Sequence, residues 1–348
     1  MYKYAYPLQV LETFSQWDCN YEIPSSVNQN GDSIVYIRED FTVYGDSLSN
    51  RPIFSNLSSD WMNFCKSVLN LPLESYRLHT MNKDFVWKSA TGPFRFLTVE
   101  QANFYDTYGY VVIEDVFDEK TIEDVTTEID DLEAEVEAHL KQMDGGKGFI
   151  GRAGEITFST HLVKRSKLLR NFCGGPIFQD IAYDLIGPNV RLYWDHAVYK
   201  KPGVQKIFPW HQDNGYTFLE PQQYLTCWVA LTDANENNGC FWTTPFIHKL
   251  GTLAHDLTDL GHICYPESPA TSISLPVKKG GLVLISALLP HMTGLNYTDQ
   301  TRKGYVIQFA PEGAYARTMD SLGNEIHIPA NISNRQYLIL KEGIAVKE

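Results

Sequence analysis

From residue 190 onward the chain becomes a succession of short β-rich runs. The runs 191–199, 224–231, 281–288 and 305–309 are each bounded by Gly, Pro or Asn. Many short strands with this punctuation predict a sandwich or barrel. Helices precede it. Thr98 and Gln101 make a capping-box pattern for a helix closed by Gly109, and 110–113 reads as a strand. Asp118 caps a second helix running to Met143, with Ile122, Val125, Ile129, Leu132 and Val136 on one face. Residues 148–159 read as a loop, and 176–186 as a helix opened by Pro176. The expectation is a mainly β fold with flanking helices packed on one sheet.

Into the strand-rich half falls Trp210-His211-Gln212-Asp213-Asn214-Gly215. On an extended backbone, residues i and i+2 project from the same face. The imidazole of His211 and the carboxylate of Asp213 then enter one space. Divalent metals accept that pair, and one further His completes the facial triad of non-haem iron(II) oxygenases. The plainer reading is a His satisfied by local hydrogen bonds beside a turn Asp.

The matching pieces come near the end of the strand-rich region. His291 follows Leu289-Pro290, and Arg302 opens the run 304–309. The separation of 11 residues suits two adjacent antiparallel strands joined by the polar turn 296–301. Arg302 then sits beside the ligand, where a guanidinium grips a carboxylate bidentately. His211, Asp213 and His291 take one face of an octahedral ion. A 2-oxo acid takes two further positions, with its distal carboxylate on Arg302, and O2 takes the last.

Composition narrows the partners. A net charge of −13, with no Lys/Arg-rich run, argues against nucleic acid and anionic membranes. The cysteines Cys19, Cys65, Cys173, Cys227, Cys240 and Cys264 form no C-x-x-C pair, which argues against a zinc knuckle or redox dithiol. No charged-then-apolar leader opens the chain, and no apolar run approaches membrane-spanning length. We expect a cytoplasmic monomer or homodimer acting on a small molecule.

Several strings, in this order and spacing, carry a resemblance. They are Phe104 with Gly109-Tyr110-Val111-Val112-Ile113, Trp210-His211-Gln212-Asp213, Cys227-Trp228-Val229-Ala230-Leu231-Thr232-Asp233, Asn237-Asn238-Gly239-Cys240, and His291 with Asn296 and Arg302. Across residues 98–312 the chain resembles the phytanoyl-CoA dioxygenase family of iron(II)/2-oxoglutarate oxygenases. The resemblance implies a double-stranded β-helix core, a cupin-like jelly roll, spanning residues 96–315. An N-terminal extension (1–95) and a C-terminal segment (316–348) flank it. It implies iron(II) on His211, Asp213 and His291, with 2-oxoglutarate anchored by Arg302 and O2 as oxidant. It implies Thr293 as the hydroxyl partner of the distal carboxylate, Trp228 as an aromatic wall, and Gln212 as a residue behind the ligands. The plainer readings are a core Trp228, a turn Thr293, and a Gln212 that points away from its flanking ligands and only holds the loop.

One departure stands out. The family's Pro-Gly-Ser-His is Pro245-Phe246-Ile247-His248 here, a change expected to alter the turn and narrow the pocket. His248, His196, His255 and His262 read as structural or surface histidines. The implied reaction is hydroxylation of an unactivated C–H bond in a small or medium-sized metabolite, with release of succinate and CO2, in a setting such as secondary metabolism. Desaturation, cyclisation and epoxidation stay open. Halogenation does not fit, because Asp213 occupies the halide position. Two other classes compete: a cupin-like hydrolase or isomerase without 2-oxoglutarate, and a non-catalytic binder or sensor. For the substrate, Phe149, Tyr216 and Trp242 can line an aromatic pocket, and Arg152 in its Gly-rich loop can meet an anion.

Overall fold

The structure, a computed structural model, describes residues 76–204, 206–269 and 271–346 in full, and the backbone of 5–6, 25–27 and 33–36. The loop read at 50–61 lies outside these residues. The chain divides into two compact units. In one, Met1–Arg77 with Pro269–Ile273, the strands Ala5–Tyr6, Ser33–Tyr36 and Ser25–Val27 form a three-stranded antiparallel sheet. The other, Leu78–Ser268 with Ser274–Glu348, carries the remaining elements described below.

Helix α1 (Val99–Tyr108) begins at the capping box of Thr98 and Gln101, and Gly109 closes it. Strand β1 (Tyr110–Ile113) follows. Helix α2 (Glu119–Gln142) starts where the Asp118 carboxylate accepts the Thr121 N–H at 2.7 Å. Its Ile122, Val125 and Ile129 are buried, while Leu132 and Val136 are half-buried. Helices α3 (Lys167–Cys173) and α4 (Pro176–Leu185) complete the layer.

The barrel strands are β2 (Ile156–Thr160), β3 (Val190–Lys200), β4 (Phe208–His211), β5 (Leu225–Ala230), β6 (Phe241–Thr243), β7 (Leu282–Ser286), β8 (His291–Thr293) and β9 (Arg302–Pro311). From β3 to β9 they alternate between two sheets. β3, β9, β5 and β7 are neighbours in the larger sheet, with β1 beyond β7. β6, β8 and β4 are neighbours in the smaller one. Strict alternation between facing sheets is the winding of a jelly roll. From the C-terminal segment, Leu338–Lys341 pairs with the start of β3, and β2 pairs with its end.

The residue parity of each large-sheet strand decides its two faces. One face carries Ala197, Tyr199, Cys227, Val229, Leu282, Leu284, Tyr305, Ile307 and Phe309, all in one cluster with the buried faces of the helices. The other carries Lys200, Thr226, Trp228, Arg302, Gly304 and Gln308, and it is where polar side chains are buried. Covering the first face with helices leaves the second to line the inside of the barrel.

Two expectations change. Residues 156–160 are a strand, because Ile-Thr-Phe-Ser-Thr is β-rich and finds a free edge of β3. His291 and Arg302 are not on adjacent strands. β8 pairs with β6 and β4, whereas β9 lies between β3 and β5 in the other sheet. The turn between them crosses from sheet to sheet, which the jelly-roll winding requires.

A buried carboxylate ties the helical layer together. Asp184 of α4 accepts the backbone N–H groups of Arg95, Phe96 and Leu97 at 2.7, 2.9 and 2.9 Å. Asp184→Ala would leave three donors without that acceptor. The expected loss is on the order of 3 kcal/mol, read as a lower urea midpoint at unchanged slope; a change under 0.5 kcal/mol would contradict it.

Candidate metal centre

His211 ends β4, and Asp213 opens the 3₁₀ turn Asp213–Gly215 that follows. His291 begins β8, directly opposite His211 in the sheet register. The two imidazoles lie with centroids 4.2 Å apart. Asp213 Oδ1 is 3.9 Å from His211 Nε2 and 3.8 Å from His291 Nε2. One ligand atom from each residue falls within 4.8 Å of the others, a grouping that a single ion can hold.

The rings are oriented for that task. His211 Nδ1 lies 2.8 Å from the Pro209 carbonyl, and His291 Nδ1 lies 2.9 Å from the Leu289 carbonyl. Donation to these carbonyls places the proton on Nδ1 and leaves the Nε2 lone pair free. Burial, with His291 alongside, holds the His211 pKa well below its ordinary value, so the ring is neutral. Asp213 is aimed by Thr226, whose hydroxyl donates to Oδ2 at 2.5 Å. Gln308 donates in turn to Thr226 Oγ1 at 3.3 Å. Thr226 escaped the sequence reading. Its only signal is a hydroxyl among apolar residues on the inward parity of β5.

Arg302 stands at the other end of this inner face. It is 1% exposed, and its Nε, Nη1 and Nη2 have no acceptor among the described residues. Burial lowers its pKa to about 10, which leaves it charged at neutral pH. The guanidinium lies 5.5 Å from the Trp228 ring. Trp228 in turn meets Phe241 at 5.4 Å, and Phe241 meets His291 at 5.3 Å. Trp228 crosses the strand beside it only because residue 304 is glycine, where an added Cβ would come within 2.2 Å of the indole. Thr293 joins this end through Lys200, which donates to its Oγ1 at 3.0 Å and pairs with Arg302 in register.

The other expected residues divide. Tyr216 packs edge-on to His211 at 5.3 Å and meets His262 at 5.0 Å. Phe149 is 62% exposed, with its ring 6.1 Å from that of His262. Gln212 does not reach the co-substrate end. Its amide donates to the Gly251 and Leu288 carbonyls and accepts the Leu253 N–H, so it pins the ligand loop. Arg152 is engaged locally by the carbonyls of Gly148, Gly151 and Asp259 and staples its own loop. Trp242 pairs with Met292, on the opposite parity from His291 and Thr293. Phe241 is the aromatic that faces the ligands, and strand alternation is the signal for it.

The departure at 245–248 is absorbed within the turn. Phe246 adopts φ 74°, the left-handed region, and its ring packs 5.1 Å from Tyr108. His248 is buried edge-on to Trp87 at 4.5 Å, with Nε2 at 3.1 Å from the Asp106 carbonyl. It is a structural histidine.

Two imidazoles with a carboxylate, backed by a buried guanidinium without a protein acceptor among the described residues, fit iron(II) and a keto-diacid. The fold and this donor set together define a jelly-roll, non-haem iron oxygenase. The comparisons with known proteins agree. The family model for phytanoyl-CoA dioxygenase (PhyH) matches residues 105–304, and the chain belongs to that family of iron(II)- and 2-oxoglutarate-dependent oxygenases. It is therefore an enzyme whose cofactors are iron(II), 2-oxoglutarate and O2. The phytanoyl-CoA dioxygenase of Arabidopsis thaliana is 24% identical over 246 residues, covering 60% of this chain and 87% of the relative. The peroxisomal enzyme of Homo sapiens is 26% identical over 232 residues, covering 62% and 68%. Among solved structures, the epimerase SnoN in complex with Fe3+, alpha ketoglutarate and nogalamycin RO superposes with TM-score 0.54 at 20% identity, covering 69% of this chain and 97% of that one. EctD from S. alaskensis superposes with TM-score 0.54 at 18% identity, covering 68% and 87%. These likenesses show the fold. No helix among the described residues is long and apolar enough to cross a membrane.

Thr226→Val keeps shape and removes the donor that holds Asp213 Oδ2. Metal affinity should fall by roughly 10–100-fold, measured by anaerobic titration with iron(II) or Mn(II). Unchanged affinity would mean that Asp213 is held without it.

Proposed function

We propose that His211, Asp213 and His291 hold the iron, that Arg302 and Thr293 bind the distal carboxylate of 2-oxoglutarate, and that Trp228 walls its chain. The substrate is a small or medium-sized metabolite, hydroxylated at an unactivated C–H bond. Residues 96–315 carry the chemistry, with 1–95 and 316–348 as additions to the barrel. The observation that carries the reading is Arg302, a buried guanidinium with three nitrogens and no protein acceptor among the described residues, on the inner face of the large sheet that also carries Thr226, the partner of Asp213. A charge so placed is costly unless an anion meets it.

The bound iron supplies the means to couple reduction of O2 to oxidative decarboxylation of 2-oxoglutarate, so that R–H, 2-oxoglutarate and O2 give R–OH, succinate and CO2. The chain's residues orient and exclude. The carbonyls of Pro209 and Leu289 fix the two imidazole tautomers, and Thr226 fixes the carboxylate. Trp228, Phe241 and Phe208 put apolar surface around the ligand rings, which keeps bulk water from the reacting centre. Tyr216, against His211, is placed to meet the substrate.

Anaerobic addition of iron(II) and 2-oxoglutarate to the full chain should produce a weak visible charge-transfer band. Under O2 it should release succinate, and more of it with the right metabolite. Asp213→Ala should abolish the band. Arg302→Met should keep metal binding and raise the KM for 2-oxoglutarate by roughly 10–100-fold. A wild-type protein that binds iron yet shows neither the band nor succinate would refute the reading.

A further inference from the structure

Lys200 is the second basic side chain buried at this end of the barrel, at 0% exposure. It closes β3 on the inward parity, directly opposite Arg302. Its Nζ donates to Thr293 Oγ1 at 3.0 Å, to the Thr293 and Lys206 carbonyls at 3.3 Å each, and to the Gly294 carbonyl. All four acceptors are neutral. The position is built: a Cβ on residue 239 would sit 3.0 Å from Lys200 Cδ and 2.7 Å from the Gly294 carbonyl, so Gly239 makes room for the lysine stem.

Arg302 and the Lys200 amine lie side by side, and among the described residues neither has a carboxylate as hydrogen-bond partner, so an anion entering from outside meets one fixed charge and one group ready to take up a proton. The contact to Thr293 has a second consequence. Its Oγ1 lone pair accepts from Lys200, so the hydroxyl proton is left to donate elsewhere. We infer that Lys200 is a positioning residue for the co-substrate: it makes Thr293 a donor toward the far carboxylate and adds a second positive charge that favours 2-oxo diacids over monoacids. The inference rests on the placement of that carboxylate at Arg302 and Thr293.

The charge state of Lys200 gives the test a readout that a merely structural lysine would not move. Burial, then the Arg302 charge, pulls its pKa down to about 6. The titratable groups facing it are Arg302 on β9 and the Cys240 thiol, which burial pushes up to about 12 and keeps neutral. Lys206 offers only its carbonyl, because its ammonium pairs with Glu155. A dianion entering beside Lys200 raises its pKa again, so binding takes up a proton. The affinity for 2-oxoglutarate then weakens as pH rises above about 6.

The experiment is calorimetric titration of 2-oxoglutarate into the anaerobic iron(II)-loaded full chain, in buffers of different ionisation enthalpy. Wild type, Lys200→Met, Thr293→Val and the double variant are compared. Wild type should take up more protons at pH 7.5 than K200M. K200M should bind 2-oxoglutarate roughly 10–100-fold more weakly, with metal affinity unchanged. The K200M penalty should shrink in the T293V background, and it should shrink for 2-oxobutyrate, which lacks the far carboxylate. K200M with the wild-type Kd and proton count would overturn the inference. If K200M does not fold, wild type decides alone: no proton uptake, or an affinity for 2-oxoglutarate independent of pH from 6 to 8, overturns it. A wild-type chain that binds iron but no 2-oxoglutarate refutes the site reading instead.

Discussion

The pairing of His291 with His211 across the small sheet is the constraint from which the site follows. Opposed residues in an antiparallel pair project from the same face, so this register alone brings two imidazoles together. Asp213 enters because the strand ends at His211 and turns immediately. A slip of one residue in β8 would send His291 to the outer face and bring Met292 inward. The small sheet therefore carries the two histidines of the candidate metal site, and the large sheet carries what surrounds them: Thr226 behind the Asp213 carboxylate, and Arg302, Trp228 and Lys200 at the end proposed for the co-substrate.

This division explains why the large sheet tolerates so much buried polarity. Its outer face makes one continuous apolar cluster with α2, α3 and α4, and that cluster supplies the bulk of the burial. The inner face is then free to hold groups that weaken a fold. Arg302 and Lys200 are the clearest cases, both close to fully buried and, among the described residues, neither with a carboxylate as hydrogen-bond partner. Stability is concentrated on one side of a single sheet and chemistry on the other, separated by the alternation of the strand.

Much of this was legible in sequence. His-x-Asp at the end of an extended run brings an imidazole and a carboxylate into one space, and the capping box at Thr98 and the Asp118 cap locate the first two helices within a residue. What was not legible depends on which strands become neighbours. The 11 residues from His291 to Arg302 suggest a hairpin, and nothing local distinguishes a hairpin from a crossing between sheets. Parity errors have the same origin: Trp242 is the larger aromatic, yet Phe241 shares a face with His291. Gln212 holds the loop, as its plainer reading has it, whereas the Arg152 guanidinium donates to the carbonyls of Gly148 and Gly151 in its own loop and of Asp259, a partner that no local pattern announces.

The turn at Phe246 shows how far such a frame can absorb a change. A left-handed backbone costs a non-glycine residue about 1–2 kcal/mol. Phe246 carries that strain at φ 74°, where the family pattern has glycine. Its ring is 6% exposed and packs on Tyr108, and burial of a phenyl group contributes a similar or larger amount in the opposite sense. The same turn delivers His248 to Trp87 and to the Asp106 carbonyl near the end of α1. The bulky residue thus fastens the turn to α1 and leaves the candidate triad alone: the His211 and His291 rings meet Phe208, Tyr216 and Phe241. The departure from the family pattern acts on the wall of the barrel, while the register that makes the site stays intact.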